Sequence, residues 1–391
     1  MIGRLYVTAS LFFALNLAQT LGLSYANVLE KGLYLALAAA VLIRRRVDPV
    51  ALALMIATLL LTIVLGLLTS FPHFSWMTWL LSVNQFAIIY VLTGFLPTER
   101  DAETILRTSA WLPLVCVAAG VIGSIATGRA LFGTEWATGT ARLQGSLIPA
   151  FLSGLSATGI VASLILGLEW RRLRYLAVAA ADVLILLLAG GRAALAVTVF
   201  VSACLVAFSR MIHVRDKLVL LLGAIAALPI FAAVAVPFAL RRLVTSTDNG
   251  RNEMAAYLHT LAERYPWTGI GFGHQYWQTP QDIVVVVGSP AAHNDFLRLT
   301  VELGVVGVGL FYLALTAAML RAAWRDGALN ITALAAWIGF LLLSHSDNAL
   351  ATPAYFPLLI VCVLPRQSSA GREAAFVSPR LSAGYEVPQP A

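Results

Sequence analysis

Charged side chains are scarce in this sequence. Only 12% of the 391 residues are charged, whereas 60% are hydrophobic. A soluble domain needs more charge than this on its surface, so a soluble enzyme or binding module is excluded. The composition predicts a polytopic membrane protein, surrounded by membrane lipids.

Cysteine and metal-ligand patterns are lacking too. The three cysteines are odd in number and lie within apolar runs, which excludes a disulfide framework. Four histidines show no metal-ligand spacing and are predicted to be surface or interfacial residues: His73, His213, His259 and His274. We therefore expect no metal and no other cofactor.

A single basic patch is absent, although the net charge is +7. The 26 lysines and arginines are scattered in short clusters between apolar runs, so nucleic acid is not an expected partner. If residue 1 lies in the cytoplasm, most of these clusters fall on the cytoplasmic side. The positive-inside rule therefore predicts that both termini are cytoplasmic.

Long apolar runs are abundant. About twelve could span a membrane, at residues 5–24, 27–43, 50–70, 74–96, 105–126, 147–168, 175–190, 192–209, 218–239, 296–320, 328–345 and 353–364. The predicted fold is an all-α polytopic membrane protein with about twelve transmembrane helices. Residues 1–239 would hold helices 1 to 9, 240–295 a long loop on the outer side, 296–364 helices 10 to 12, and 365–391 a disordered cytoplasmic tail.

The long loop contains two recognisable segments. In RNEMAAYLHTLAERYP, Met254, Leu258 and Leu261 recur at helical spacing, which predicts an interfacial amphipathic helix ended by Pro266. In WTGIGFGHQYW, three glycines alternate among aromatic residues without the strand-to-helix unit of a dinucleotide site. This second segment predicts a turn at the level of the lipid headgroups.

His293 lies where this polar loop meets the next apolar run, and we interpret it as the chemical centre. A neutral imidazole at a water boundary can accept a proton near neutral pH. Asn294 and Asp295 beside it can cap or charge the first turn of the following helix. The alternative is that His293 is only part of that cap.

Arginines on the outer side are informative, because the positive-inside bias disfavours them there. Four stand out: Arg142, Arg192, Arg251 and Arg298. Arg192 follows Gly190 and Gly191 between two apolar runs, so it either lines a hydrated cavity or snorkels to the headgroups. Guanidiniums that converge with an imidazole suggest group transfer from a diphosphate carrier to a hydroxyl, without a metal ion.

Other polar residues are secondary candidates. Arg298 is spaced to form a local ion pair with Asp295 and Glu302, so a structural role is expected there. Asp182, within an apolar run, and Asp347, at the end of another, are functional hypotheses by their position.

Four segments resemble the O-antigen ligase and polymerase superfamily of bacterial inner membranes. They are TARLQGSLIPAF, AGGRAALAV, GRNEMAAYLHTLAERYPWTGIGFG and HNDFLRLTVELGVVGVGLF, in this order from about residue 142 onward. The resemblance implies a helical bundle of the GT-C kind in the bacterial inner membrane, with the active site facing the periplasm. It also implies metal-independent, inverting transfer of a glycan from undecaprenyl diphosphate.

By the same resemblance, Arg192 and Arg251 would hold the diphosphate, Arg142 would line the same cavity, and His293 would activate the acceptor hydroxyl. The usual Ser-Arg-Gly pattern is here Gly191, Arg192, Ala193. This departure concerns the local backbone geometry and leaves the guanidinium in place.

Three functions remain open at this point. A ligase that moves O-antigen to the lipid A core is favoured by the compact length and the single long loop. A polymerase would share the donor and the chemistry and differ only in its acceptor. An anionic-solute transporter is a different class, and the sequence shows neither its usual repeats nor paired broken helices.

Overall fold

A computed structural model describes residues 1–20, 22–23, 26–134, 139–209, 212–223, 225–226, 229, 233, 250–324 and 329–364. The described chain is about 75% helical, with almost no sheet. Its helices are α1 (Ile2–Leu15), α2 (Leu17–Thr20), α3 (Ala26–Ile43), α4 (Pro49–Leu68), α5 (Trp76–Thr93), α6 (Glu99–Thr127), α7 (Pro149–Leu164), α8 (Arg174–Ala189), α9 (Arg192–Phe208), α10 (214–223), α11 (Arg251–Arg264), α12 (Gln275–Gln278), α13 (Gln281–Val287), α14 (Asp295–Ala323), α15 (Ile331–Ser346) and α16 (Phe356–Val363). The predicted tail, 365–391, lies outside the described residues.

The helices confirm an all-α membrane protein. Within the described residues, five segments are long and apolar enough to cross a bilayer: Pro49–Leu68, Trp76–Thr93, Glu99–Thr127, Pro149–Glu169 and Asp295–Ala323. Three apolar helices are shorter within the described residues, Ile2–Leu15, Arg192–Phe208 and Ile331–Ser346, and α16, with eight residues, extends only about 12 Å at 1.5 Å per residue. The count of twelve spans therefore stays a prediction.

Helix α7 lies at the centre of the bundle. In the span that it forms with the π-helical turn Ile165–Glu169, 89% of the apolar stretch is buried inside the protein, the largest share among the five spans. Pro149 starts the helix at a position where no backbone N–H is needed. Because α7 has protein on nearly every side, its residues can contact several parts of the fold.

A two-stranded hairpin precedes α7. Strand β1 (Phe132–Thr134) pairs antiparallel with β2 (Ala141–Leu143), and Gly133 lies opposite Arg142. The hairpin therefore brings Arg142 to the end of α8, as described below.

Helix α14 is interrupted at Gly304, whose φ of 70° is not helical. Val305 cannot donate to the carbonyl of Val301 there, and its N–H donates to the Pro266 carbonyl at 2.8 Å instead. In exchange, the N–H of Ile270 donates to the Val301 carbonyl at 2.9 Å. The loop segment 266–271 thus pairs with the backbone groups that the interruption leaves open.

The three alternating glycines allow this docking. Gly269, Gly271 and Gly273 all have positive φ, between 66° and 103°. A Cβ at Gly269 would overlap the backbone of Glu302, and one at Gly273 would overlap the side chain of Ser82. The glycines are therefore needed for a left-handed backbone and for close approach, while the depth of the segment in the membrane stays a prediction.

Helix α11 confirms the amphipathic prediction. Its buried residues are Met254, Leu258 and Leu261, and they pack with Ile270 of the docked segment and Val301 of α14. The loop, α11 and the first half of α14 therefore share one apolar cluster. This cluster fixes the segment that leads to His293.

Candidate active site

His293 directly precedes the cap of α14 and has an unusual backbone. Its φ is 52°, in the left-handed region that a non-glycine residue adopts at a cost of about 1 to 3 kcal/mol. Its Nδ1 lies 3.4 Å from Oδ1 of Asp347 at the end of α15, which is 54 residues away in the sequence. No described residue bonds to Nε2. The imidazole therefore has a carboxylate on one side and a free nitrogen on the other.

Asp347 is held as an anion. Burial alone would raise the pKa of its carboxyl, but hydrogen bonds from His293, from Tyr355 and from the N–H of Asn348 outweigh burial and lower that pKa. The Tyr355 hydroxyl donates to Oδ2 at 2.5 Å, and the Asn348 N–H donates to Oδ1 at 2.8 Å. An ionised Asp347 favours a proton on Nδ1 of His293, which leaves the lone pair on Nε2 for proton acceptance.

The capping prediction is borne out for Asn294, whereas Asp295, an acidic residue in the first turn, bonds outside α14. The Asn294 side chain accepts from the N–H of Leu297 at 3.1 Å, as an N-cap does. Asp295 is fully buried and accepts from the N–H of Leu350 at 2.7 Å. This second bond ties the start of α14 to the α15–α16 loop, and thereby brings His293 near Asp347.

Arg298 has the structural pairing that its spacing predicts. Its Nη2 lies 2.9 Å from Oδ1 of Asp295. Glu302 also interacts with it electrostatically, and accepts from the N–H of Gln275 at 3.3 Å. The Arg298 side chain is 18% exposed and interacts with two carboxylates, so it stabilises the first half of α14.

Arg192 is the first residue of α9 and is exposed. Gly190 ends α8 in the left-handed conformation, and Gly191 is the N-cap of α9, without a side-chain cap. No described residue forms an ion pair or hydrogen bond with the Arg192 guanidinium. Free N–H groups at a helix start favour an anion, and the guanidinium adds a full charge at the same end.

Arg142 lies beside this turn. Its Nε donates to the carbonyl of Ala189 at 2.7 Å, which is one of the last carbonyls of α8. The structure therefore brings Arg142 to the Gly190–Gly191 turn, where it satisfies a helix C-terminus. This bond fixes the turn that presents Arg192.

Arg251 joins the other half of the site. It is the first residue of α11, its N-cap is Gly250, and its side chain is exposed. It interacts electrostatically with Tyr355, the residue that donates to Asp347. Two arginines thus stand at two helix N-termini, and one of them interacts electrostatically with the tyrosine that bonds to Asp347.

Asp182 is not brought to this pair. It is fully buried in α8, and neither of its carboxyl oxygens bonds to a described residue. A Cβ at Gly159 of α7 would lie 2.7 Å from Oδ2 of Asp182 and 2.9 Å from Cγ of Pro113. Asp182 therefore belongs to the packing of α6, α7 and α8.

Tyr355 and His274 have roles that sequence reasoning misses. Tyr355 follows no motif, and its role depends on contacts across the fold. The prediction that His274 is a surface or interfacial residue is wrong, because the side chain is only 1% exposed. Its Nε2 accepts from the N–H of Ser75 at 2.8 Å, and its ring stacks on Phe74. The glycine-rich segment just before it is the one sequence signal of such packing.

Metal ligands are not clustered in the described part of the chain. No group of three or more His, Cys, Asp or Glu side chains is placed there to hold a metal ion. In this part, positive charge at the candidate site comes from arginines and helix N-termini.

Comparison with known proteins agrees with the resemblance. Residues 176–312 match the family model described as O-antigen ligase. The matched segment contains Arg192, Arg251 and His293 and ends within α14. No curated protein matches the chain. Over residues 176–312, the chain is therefore similar to the O-antigen ligase family.

Proposed function

We propose that the protein is an O-antigen ligase: a metal-independent, inverting glycosyltransferase that moves a glycan from undecaprenyl diphosphate to a sugar hydroxyl of the lipid A core. Transfer would occur on the periplasmic face of the bacterial inner membrane. The observation that carries the proposal is the His293–Asp347 pair, in a chain whose residues 176–312 match the O-antigen ligase family model.

The acceptor hydroxyl would be activated by His293. Its oxygen attacks the anomeric carbon of the donor sugar while its proton passes to Nε2 of His293. Asp347 stabilises the imidazolium that forms and keeps the ring oriented. The distance of 3.4 Å between Nδ1 and Oδ1 is long, as catalytic hydrogen bonds often are before the substrate binds.

The leaving group would be stabilised by arginines. The bond between the anomeric carbon and the phosphate oxygen breaks, and its electron pair goes to the diphosphate. Arg192 and Arg251 would neutralise that charge through bidentate hydrogen bonds, helped by the N–H groups at the starts of α9 and α11. Arg142 would support this end of the cavity by fixing the turn before Arg192.

A deletion strain complemented with variants tests the proposal. His293→Ala is expected to abolish attachment of O-antigen to the core, because the base is lost while the fold stays intact. His259→Ala is the matched control, since His259 is exposed on α11 and has no place in the mechanism. The measurement is the lipopolysaccharide banding pattern, together with the membrane level of each variant.

The banding pattern also separates the alternatives. Uncapped core in the deletion strain supports a ligase, whereas core that carries one repeat unit would instead indicate a polymerase. Normal banding with well-expressed His293→Ala would remove His293 from the mechanism. Solute uptake into proteoliposomes, without glycan transfer, would indicate a transporter.

A further inference from the structure

Two consecutive residues of α7 touch the two halves of the proposed site. Ser153 faces the turn before Arg192, and Gly154 faces the ring of Tyr355. The arginine turn and the Asp347 pair are far apart in the sequence, so their relative position depends on an element that contacts both. Helix α7 is such an element.

The contact at Ser153 is close. A Cβ at Gly191 would overlap Cβ of Ser153 and would lie 2.5 Å from its Oγ. The Ser153 hydroxyl donates to the Pro149 carbonyl at 2.7 Å, which fixes its rotamer. The side chain therefore acts as a fixed stop for the backbone immediately before Arg192.

The contact at Gly154 is equally close. A Cβ at this position would overlap Cε1 of the Tyr355 ring and lie 2.9 Å from Cδ1. The Tyr355 hydroxyl can reach Asp347 at 2.5 Å only because Gly154 leaves this space. A larger residue would push the ring, and with it the hydroxyl, away from the carboxylate.

Helix α7 is suited to hold both contacts at a constant separation. Ser153 and Gly154 are buried, and so are the residues that follow them up to Ser163. A closely packed helix transmits a displacement at one residue to the next instead of absorbing it.

We propose that Ser153 and Gly154 are positioning residues that set the spacing between the diphosphate-binding turn at Arg192 and the Asp347–His293 pair. This inference rests on the proposed function. Ser153 acts through Gly191 on donor binding, and Gly154 acts through Tyr355 on the activation of the acceptor. A shift of about 1 Å at a reacting group can lower a rate roughly 100-fold, so this spacing matters for transfer.

The Gly154 contact is tested by a double-mutant cycle with purified protein, lipid-linked donor and lipid A-core acceptor. Gly154→Ala is expected to lower kcat about tenfold or more, with the KM for the donor unchanged. Tyr355→Phe removes the hydroxyl but keeps the ring atoms that the methyl added at position 154 would meet. In the Tyr355→Phe background, Gly154→Ala should therefore cause no further loss of kcat, because the hydroxyl that it displaces is already absent.

A mere packing role for Gly154 predicts the opposite result. The clash with the ring persists in the Phe background, so the losses from the two changes would multiply. That outcome would overturn the Gly154 part of the inference. The thermal unfolding midpoint of each variant shows whether the fold survives.

The Ser153 contact is tested by enlarging Gly191 and then removing the Ser153 side chain that the added methyl would meet. Gly191→Ala is expected to raise the KM for the donor about tenfold, because the added methyl displaces Arg192. Ser153→Gly in the same chain removes the clashing atoms and should restore the KM to within about twofold of the wild-type value. Absence of rescue would overturn the Ser153 part of the inference. If Gly154→Ala does not fold, the changes at Gly191 and Ser153 alone decide whether α7 has a positioning role.

The proposed mechanism and the positioning role of α7 can fail separately. If His293→Ala keeps full transfer activity, the proposed mechanism fails. If His293→Ala is inactive, but neither the cycle of Gly154→Ala with Tyr355→Phe nor the rescue of Gly191→Ala by Ser153→Gly behaves as described, the mechanism stands and only the positioning role fails.

Discussion

Replacing Gly269 by alanine should destabilise the protein far more than the same change at a comparable glycine. Gly269 has a φ of 66°, and a Cβ there would overlap the backbone of Glu302 in α14. Gly288 is the matched control, since its φ is 74° and no atom lies within 4 Å of its added Cβ. The pair therefore separates the backbone preference from the close approach.

The expected magnitudes follow from these contacts. At Gly288, alanine destabilises the folded state only through its left-handed backbone conformation, which costs about 1 to 2 kcal/mol. At Gly269, the added methyl also forces the docked segment away from α14, about 1 to 3 kcal/mol for overpacking. The bonds from Ile270 and Gly271 to α14, at 2.9 and 3.0 Å, would be weakened as well, at about 1 kcal/mol each. Gly269→Ala should thus cost about 4 to 7 kcal/mol.

The assay measures unfolding of the purified protein in detergent as the denaturant concentration or the temperature is raised. Gly288→Ala should unfold slightly earlier than the wild type, and Gly269→Ala much earlier or with loss of expression. Equal destabilisation by the two changes would refute the close approach of Gly269 to α14. The wild-type loop would then have to lie elsewhere.

Three further predictions concern charge. Arg192→Lys and Arg251→Lys should each lose most transfer activity, because an ammonium lacks the planar fork that binds a diphosphate. Arg264→Lys, at an exposed position of α11, is the control. If lysine restores the activity that alanine loses, a point charge is sufficient. Transfer should persist in excess EDTA, and activity that returned only with magnesium or manganese would contradict the arginine-based mechanism. Burial lowers the pKa of His274 in the folded protein, so the stability from its bond to Ser75 is present above the unfolded pKa of about 6.5 and is lost as the pH falls through the folded pKa. The thermal unfolding midpoint should therefore fall on acidification, and it should fall less in His274→Gln.

The helices could be predicted because their signals are local. A helix occupies each predicted apolar run within the described residues, and the spacing of Met254, Leu258 and Leu261 predicts the buried face of α11. Such periodicity depends only on neighbours along the chain. Whether each helix spans the membrane depends on length and surroundings, which the pattern alone does not determine.

The candidate site could be predicted only in part. The residue types of His293, Arg192 and Arg251 point to chemistry, but the pairing of His293 with Asp347 joins positions 54 residues apart. Tyr355 contributes through a contact with α7 that no spacing in the sequence encodes. The resemblance assigns Arg142 to the cavity, whereas its bond to the Ala189 carbonyl comes from the hairpin.

The interruption of α14 has a consequence for the order of folding. Lipid cannot satisfy the backbone groups that open at Gly304, so the interrupted helix is stable only when segment 266–271 is already in place. That segment precedes α14 in the chain and contacts residues before it, since the Thr69 hydroxyl donates to the Gly269 carbonyl at 2.7 Å, but the N–H groups of Ile270 and Gly271 have no partner until α14 is in place. The interruption of α14 and the docking of the glycine segment are therefore coupled, so that His293, which lies between them in the chain, acquires its final position only when both are in place.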